Sequence, residues 1–126
     1  MKDIAILLPY KENFTEKSAG AASIWVKDYL NKSKLKKKSI VYGSLENNSK
    51  PLLKNFRNLN IGNKFIKKNI SYTNELYKEY KKYNFKIIEI HNRPESLLYL
   101  INKKVKAKLI FIYHNNPQDL RSSSTI

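Results

Sequence analysis

Apolar positions along this chain fall in short runs separated by stretches of helical period. Residues 3–8, DIAILL, form a run of strand length ended by Pro9, as suits a strand buried on both faces. A polar loop spans 10–17. Ile24, Trp25, Val26, Tyr29 and Leu30 then recur at helical spacing and predict a helix over 20–31, with Ser18 as its N-cap. A basic turn at 32–38 leads into a second strand, SIVYG at 39–43, closed by glycine. Residues 44–71 are dense in Asn and Lys, contain Pro51 and Gly62, and offer one further short strand at 64–66. Leu76, Tyr77, Tyr80 and Tyr83 lie three or four apart and predict a helix over 72–83, capped by Thr73 and stopped by Asn84. A strand at 86–90, a helix over 94–103, a strand at 109–113 and a helical start at Pro117 complete the pattern.

Strands alternating with helices predict an α/β fold: a Rossmann-like, open, mostly parallel, doubly wound sheet with helices on both faces. At 126 residues the chain has the length of one domain, 1–126. In such sheets ligands collect outside the carboxyl ends of the strands, where strand order reverses. That singles out the loops 9–22, 91–95 and 114–119.

Both histidines lie in those loops, in the same setting: His91-Asn92-Arg93-Pro94 and His114-Asn115-Asn116-Pro117 each end an apolar run. Proline suits a first helical position and Asn116 before Pro117 suits an N-cap, so each motif reads as a strand-to-helix turn. Turn chemistry accounts for the asparagines and prolines. It does not account for imidazole, which donates, accepts and titrates near neutrality, and two imidazoles on one rim favour a site over incidental polar ends. Zinc takes three or four protein ligands; with no cysteine, and with Glu95 and Asp119 just inside helices, no metal is expected. The small residues of KSAGAAS, 17–23, would let backbone N–H groups approach an anion at a helix start, and close helix–sheet packing explains them equally well. Neither a G-x-G-x-x-G fingerprint nor a Walker lysine is present, which disfavours a dinucleotide or ATP fold.

The net charge of +15 points to an anionic partner. Lysine supplies nearly all of it, with arginine only at Arg57, Arg93 and Arg121, and abundant Lys, Asn and Ile are also what AT-rich coding produces. A reader of bases or phosphates would carry more arginine, so nucleic acid is disfavoured. Gathered on one face, Lys34, Lys36, Lys37 and Lys38 with Lys64, Lys67 and Lys68 would suit an anionic membrane surface. The sequence has no cysteine, no signal-peptide pattern and no apolar run near the ~20 residues of a spanning helix, so the expected location is cytoplasmic.

In their order and spacing, IAILLPYKENF (4–14), SAGAASIWV (18–26), IIEIHNRPESLLYL (87–100) and LIFIYHNNP (109–117) resemble the N-terminal half of glycosyltransferases of the GT-B fold, especially the retaining family 4. The resemblance covers nearly the whole chain. It implies the acceptor-side domain of a nucleotide-sugar-dependent transferase, with no cofactor beyond the nucleotide-sugar donor as substrate. A saccharide or lipid-linked cell-envelope molecule would be the acceptor, and the enzyme would sit peripherally on the inner membrane face. Carried over by motif, Ser18, Ala19, Gly20 and Ala21 would face the donor phosphate, and His114 would lie near the transferred sugar as the catalytic candidate. Glu12, His91, Asn92, Arg93 and Asn115 would line the acceptor side. The family's donor-domain motif is not found before Ile126, so the resemblance implies a missing donor domain and a chain inactive alone. The alternative is a small, basic, non-catalytic module that binds nucleic acid or an anionic surface.

Overall fold

The computed structural model describes residues 2–17, 19–45, 49–59, 61 and 68–114. The strands are β1 (Ile4–Leu7), β2 (Ser39–Gly43), β3 (Phe56–Asn58), β4 (Ile87–His91) and β5 (Lys108–Ile112). The helices are α1 (Ala21–Asn31), α2 (Lys68–Tyr83) and α3 (Pro94–Asn102). All five strands are parallel, in the order β3-β2-β1-β4-β5. This is the Rossmann-like, doubly wound α/β arrangement that the alternation of runs and periods predicts.

Parallel strands covered on both faces read as continuous apolar runs, and β1 shows why. Ala5 and Leu7 point to one face, where Tyr72 and Leu76 of α2 and Leu100 of α3 pack with Ile88 and Ile90. Ile6 and Leu8 point to the other, against Ala22, Val26 and Leu30 of α1 and Val41 of β2. The central strand thus joins two cores. Between α2 and α3 the contact is partly polar: Thr73 Oγ1 and Ser96 Oγ lie 2.8 Å apart, and the Tyr99 hydroxyl donates to Asn74 Oδ1 at 2.6 Å.

Three expectations change. A strand at Phe56–Asn58, inside the Asn- and Lys-rich stretch, fills the sheet edge beside β2; the expected strand at 64–66 lies outside the described residues. α2 begins at Lys68, four residues before the predicted start, so Thr73 is not its cap. It sits inside the helix and its hydroxyl donates back to the Asn69 carbonyl at 2.9 Å. α1 begins at Ala21 with Gly20, in extended conformation, at its N-cap position; the expected cap Ser18 lies outside the described residues, as does the helical start at Pro117.

Candidate functional site at the switch point

Strand order reverses between β1 and β4, whose carboxyl ends open into loops that meet. Leu8 N–H still donates to Tyr42 O, and Pro9 then ends the strand. A tight turn follows, with Glu12 N–H donating to Pro9 O at 3.1 Å and Lys11 at φ 73° in its third position. Facing it, β4 ends at His91 and turns through Asn92, also left-handed at φ 64°, with Arg93 N–H donating to His91 O. Between the loops lies a cleft of about 290 Å³ lined by Pro9, Tyr10, Lys11, Glu12, Asn92 and Arg93. Tyr72 supports its floor: its buried hydroxyl donates to Leu8 O at 2.7 Å and its ring packs against Tyr10. Burial, with the Glu12 carboxylate nearby, pushes that phenol well above its ordinary range, so it stays a neutral donor.

The turn at Lys11 carries Glu12 back over the start of α1. One carboxylate oxygen, Oε2, accepts from both the backbone N–H and the hydroxyl of Ser23, each at 2.6 Å. A residue eleven positions upstream therefore does the work of an N-cap. Gly20 makes room for it, because a Cβ there would stand 2.7 Å from Glu12 Oε1. This helix start thus holds an internal carboxylate, beside Gly20 and Ser23, at the place where the resemblance puts a donor phosphate; Ala19 and Ala21 flank Gly20 in the chain.

The two histidines come together. Glu89 and His91, two apart on β4, share a face by strand period, and Ile6 opposite Glu89 identifies it as the α1 face. His91 Nε2 lies 3.1 Å from Glu89 Oε2, and His91 Nδ1 lies 2.7 Å from His114 Nε2, with the imidazole planes 9° apart. Asn92 joins the strand ends: its N–H donates to Ile112 O at 2.9 Å and its Oδ1 accepts from His114 N–H at 2.7 Å. Trp25 of α1 packs 5.5 Å from each imidazole and stacks on Tyr29. Burial and the neighbouring His91 lower the His114 pKa below 6.5, partly offset by Glu12 and Glu89.

Among the residues predicted for the site, Glu12, Asn92 and Arg93 line the cleft, and His114 is tied to it through Asn92. His91 is fully buried with both ring nitrogens engaged, which makes it a support for His114. Ser18 and Asn115 lie outside the described residues. Tyr10, Lys11, Trp25 and Glu89 were not singled out from sequence. Glu89 had a signal: a lone carboxylate in the apolar run IIEI, two residues before histidine.

Among the described residues no group of three or more His, Cys, Asp or Glu could hold a metal ion, and no helix is long and apolar enough to cross a membrane. The 2.7 Å between ring nitrogens is a hydrogen-bond distance. Two Zn–N bonds of about 2.0–2.1 Å at a tetrahedral angle would set them roughly 3.3 Å apart. Compared with protein-family models, with curated proteins and with solved structures, the chain matches none.

Proposed function

We propose that this chain is the acceptor-side domain of a nucleotide-sugar-dependent glycosyltransferase of the GT-B kind, with a saccharide or lipid-linked saccharide as acceptor. The observation that carries the reading is the convergence, at one switch-point crevice, of the Tyr10–Glu12 turn, Asn92 and Arg93, with His114 alongside. Tyr10 supplies a flat aromatic face of the sort that packs on a sugar ring. Asn92 and Arg93 supply directional hydrogen bonds to hydroxyls, and Lys11 and Arg93 supply positive charge for a phosphate-bearing acceptor. His114, beside the cleft, is the group near the reacting sugar. Donor contacts come, on this reading, from a second domain across the cleft, so the chain alone binds an acceptor without transferring to it.

A second feature suits contact with an anionic surface. At the amino edge of the sheet, opposite the crevice, Lys2, Lys36, Lys37 and Lys54 surround a concavity of about 640 Å³ with Leu52 and Leu53. Of the lysines predicted to gather, Lys36 and Lys37 line it, Lys34, Lys38 and Lys68 do not, and Lys64 and Lys67 lie outside the described residues. The same patch favours the non-catalytic alternative, an anionic-surface module. Calorimetric titration with short oligosaccharides and their phosphorylated forms separates the two. The transferase reading expects binding that Arg93→Ala weakens about tenfold, the loss of one charge-assisted hydrogen bond. Binding unaffected by Arg93→Ala, or none, rejects it.

A further inference from the structure

The Glu89–His91–His114 chain holds more chemistry than a pair of polar strand ends needs. His91 is completely buried, yet both of its ring nitrogens are hydrogen-bonded, one to a carboxylate and one to a second imidazole. The partners fix the tautomers. An ionised Glu89 only accepts, so His91 Nε2 carries a proton. A neutral His91 then offers Nδ1 as acceptor, and His114 Nε2 must be the donor. That leaves the lone pair of His114 on Nδ1, the ring nitrogen with no hydrogen-bond partner among the described residues, in a residue that is only partly buried.

We propose that Glu89, His91 and His114 form a one-proton relay in which His114 Nδ1 acts as base toward an acceptor hydroxyl held at the switch-point cleft. This rests on the transferase reading for the identity of that hydroxyl. When Nδ1 takes the proton, the Nε2 proton of His114 passes to His91 Nδ1. The positive charge then sits on His91, against the Glu89 carboxylate 3.1 Å away. The outer ring is neutral again, with its tautomer reversed. In the transfer step the acceptor oxygen forms a bond to the anomeric carbon as its proton goes to His114. The bond from that carbon to the donor's phosphate oxygen breaks, and its electron pair leaves on the nucleotide diphosphate. His114 is the catalytic residue. His91 and Glu89 are positioning residues, and Asn92 fixes His114 through the backbone N–H bond at 2.7 Å.

A second proton has no comparable place. With both rings cationic, two N–H groups would face each other across 2.7 Å. The other charged group acting on His114 is Glu12, from the loop after β1; Trp25 and Tyr29, which approach from α1, carry no charge. What favours charge on the inner ring is geometric: the Glu89 carboxylate lies 3.1 Å from His91 Nε2, while burial and the neighbouring His91 lower the His114 pKa.

Nitrogen-15 NMR of the imidazoles in the intact chain, titrated between about pH 9 and pH 5, tests the relay without any saccharide. The expected result is one proton taken up by the pair, with both rings following a common midpoint. Glu89→Gln should move that midpoint down by about one pH unit, a tenfold weaker proton affinity. Two rings titrating independently, or a midpoint indifferent to Glu89→Gln, overturns the relay, and the wild-type titration decides even if the variant fails to fold. Adding a saccharide that binds the cleft should shift His114 and raise its sensitivity to pH, and binding that leaves His114 unmoved overturns its role as base. A shared proton with no saccharide binding instead overturns the transferase reading and leaves the relay standing.

Discussion

Replacing Gly20 by alanine should destabilise this protein although nothing in the local backbone forbids it. Gly20 sits at φ −84° and ψ −176°, open to any residue, where the loss of unfolded-state freedom would ordinarily stabilise by about 0.4–1 kcal/mol. The obstacle is Glu12. An alanine Cβ would meet its Oε1 at 2.7 Å and its Cδ at 2.8 Å, forcing the carboxylate away from the two bonds it accepts from Ser23. Losing a helix cap costs about 0.5–2 kcal/mol, and bonds to a charged group lie toward the upper end. The net expectation is a loss of about 1 kcal/mol, or roughly 3–6 °C in melting temperature for a chain of this size. The decisive comparison is a double-mutant cycle by urea denaturation. With Glu12 already replaced by alanine the clash disappears, so Gly20→Ala should then stabilise by about 0.4–1 kcal/mol. A change of the same sign and size in both backgrounds would refute the cap.

Three further expectations follow from the same geometry. His91→Ala should cost about 2–4 kcal/mol, because it empties a fully buried position and strips Glu89 of its partner; a melting temperature within a degree or so of wild type would contradict this. The pKa of His114 is lowered in the fold, so the unfolded chain binds more protons than the folded one below its ordinary value of 6.5. The stability this group contributes is full above that pH and is lost as pH falls toward the depressed folded value, and His114→Gln should flatten that slope in a denaturation series. Anionic vesicles should sediment the chain at low salt and release it as salt rises, with Lys36→Glu and Lys37→Glu together weakening attachment several-fold, whereas salt-independent sedimentation would rule out the amino-edge lysines.

Much of the scaffold was legible because parallel strands buried on both faces leave unbroken apolar runs: 3–8, 39–43, 86–90 and 109–113 each locate a strand to within one or two residues. β3 was not, since FRN is three residues long with its last two exposed, and its place follows from pairing with Val41, Tyr42 and Gly43 rather than from any pattern of its own. The convergence of the loops followed from topology. The partners within the site did not. That Glu12 would cap a helix eleven residues away depends on the left-handed turn at Lys11, and that His91 would face inward depends on the register of β4 against β5, which sets His91 opposite Ile112. Composition gave lysine in quantity but could not say which lysines share a concavity, because Lys2 and Lys54 meet Lys36 and Lys37 only when the strands align at their amino ends.

The central claim is that a saccharide hydroxyl is bound where β1 and β4 part, beside His114. Amide chemical-shift mapping of the intact chain during titration with an oligosaccharide tests it most directly. Shifts should concentrate at Tyr10, Lys11, Glu12, Asn92, Arg93 and His114, residues that line the cleft or are bonded to it. Shifts confined to Lys2, Lys36, Lys37 and Lys54 at the amino edge, or no shifts as the ligand approaches its solubility limit, would contradict it.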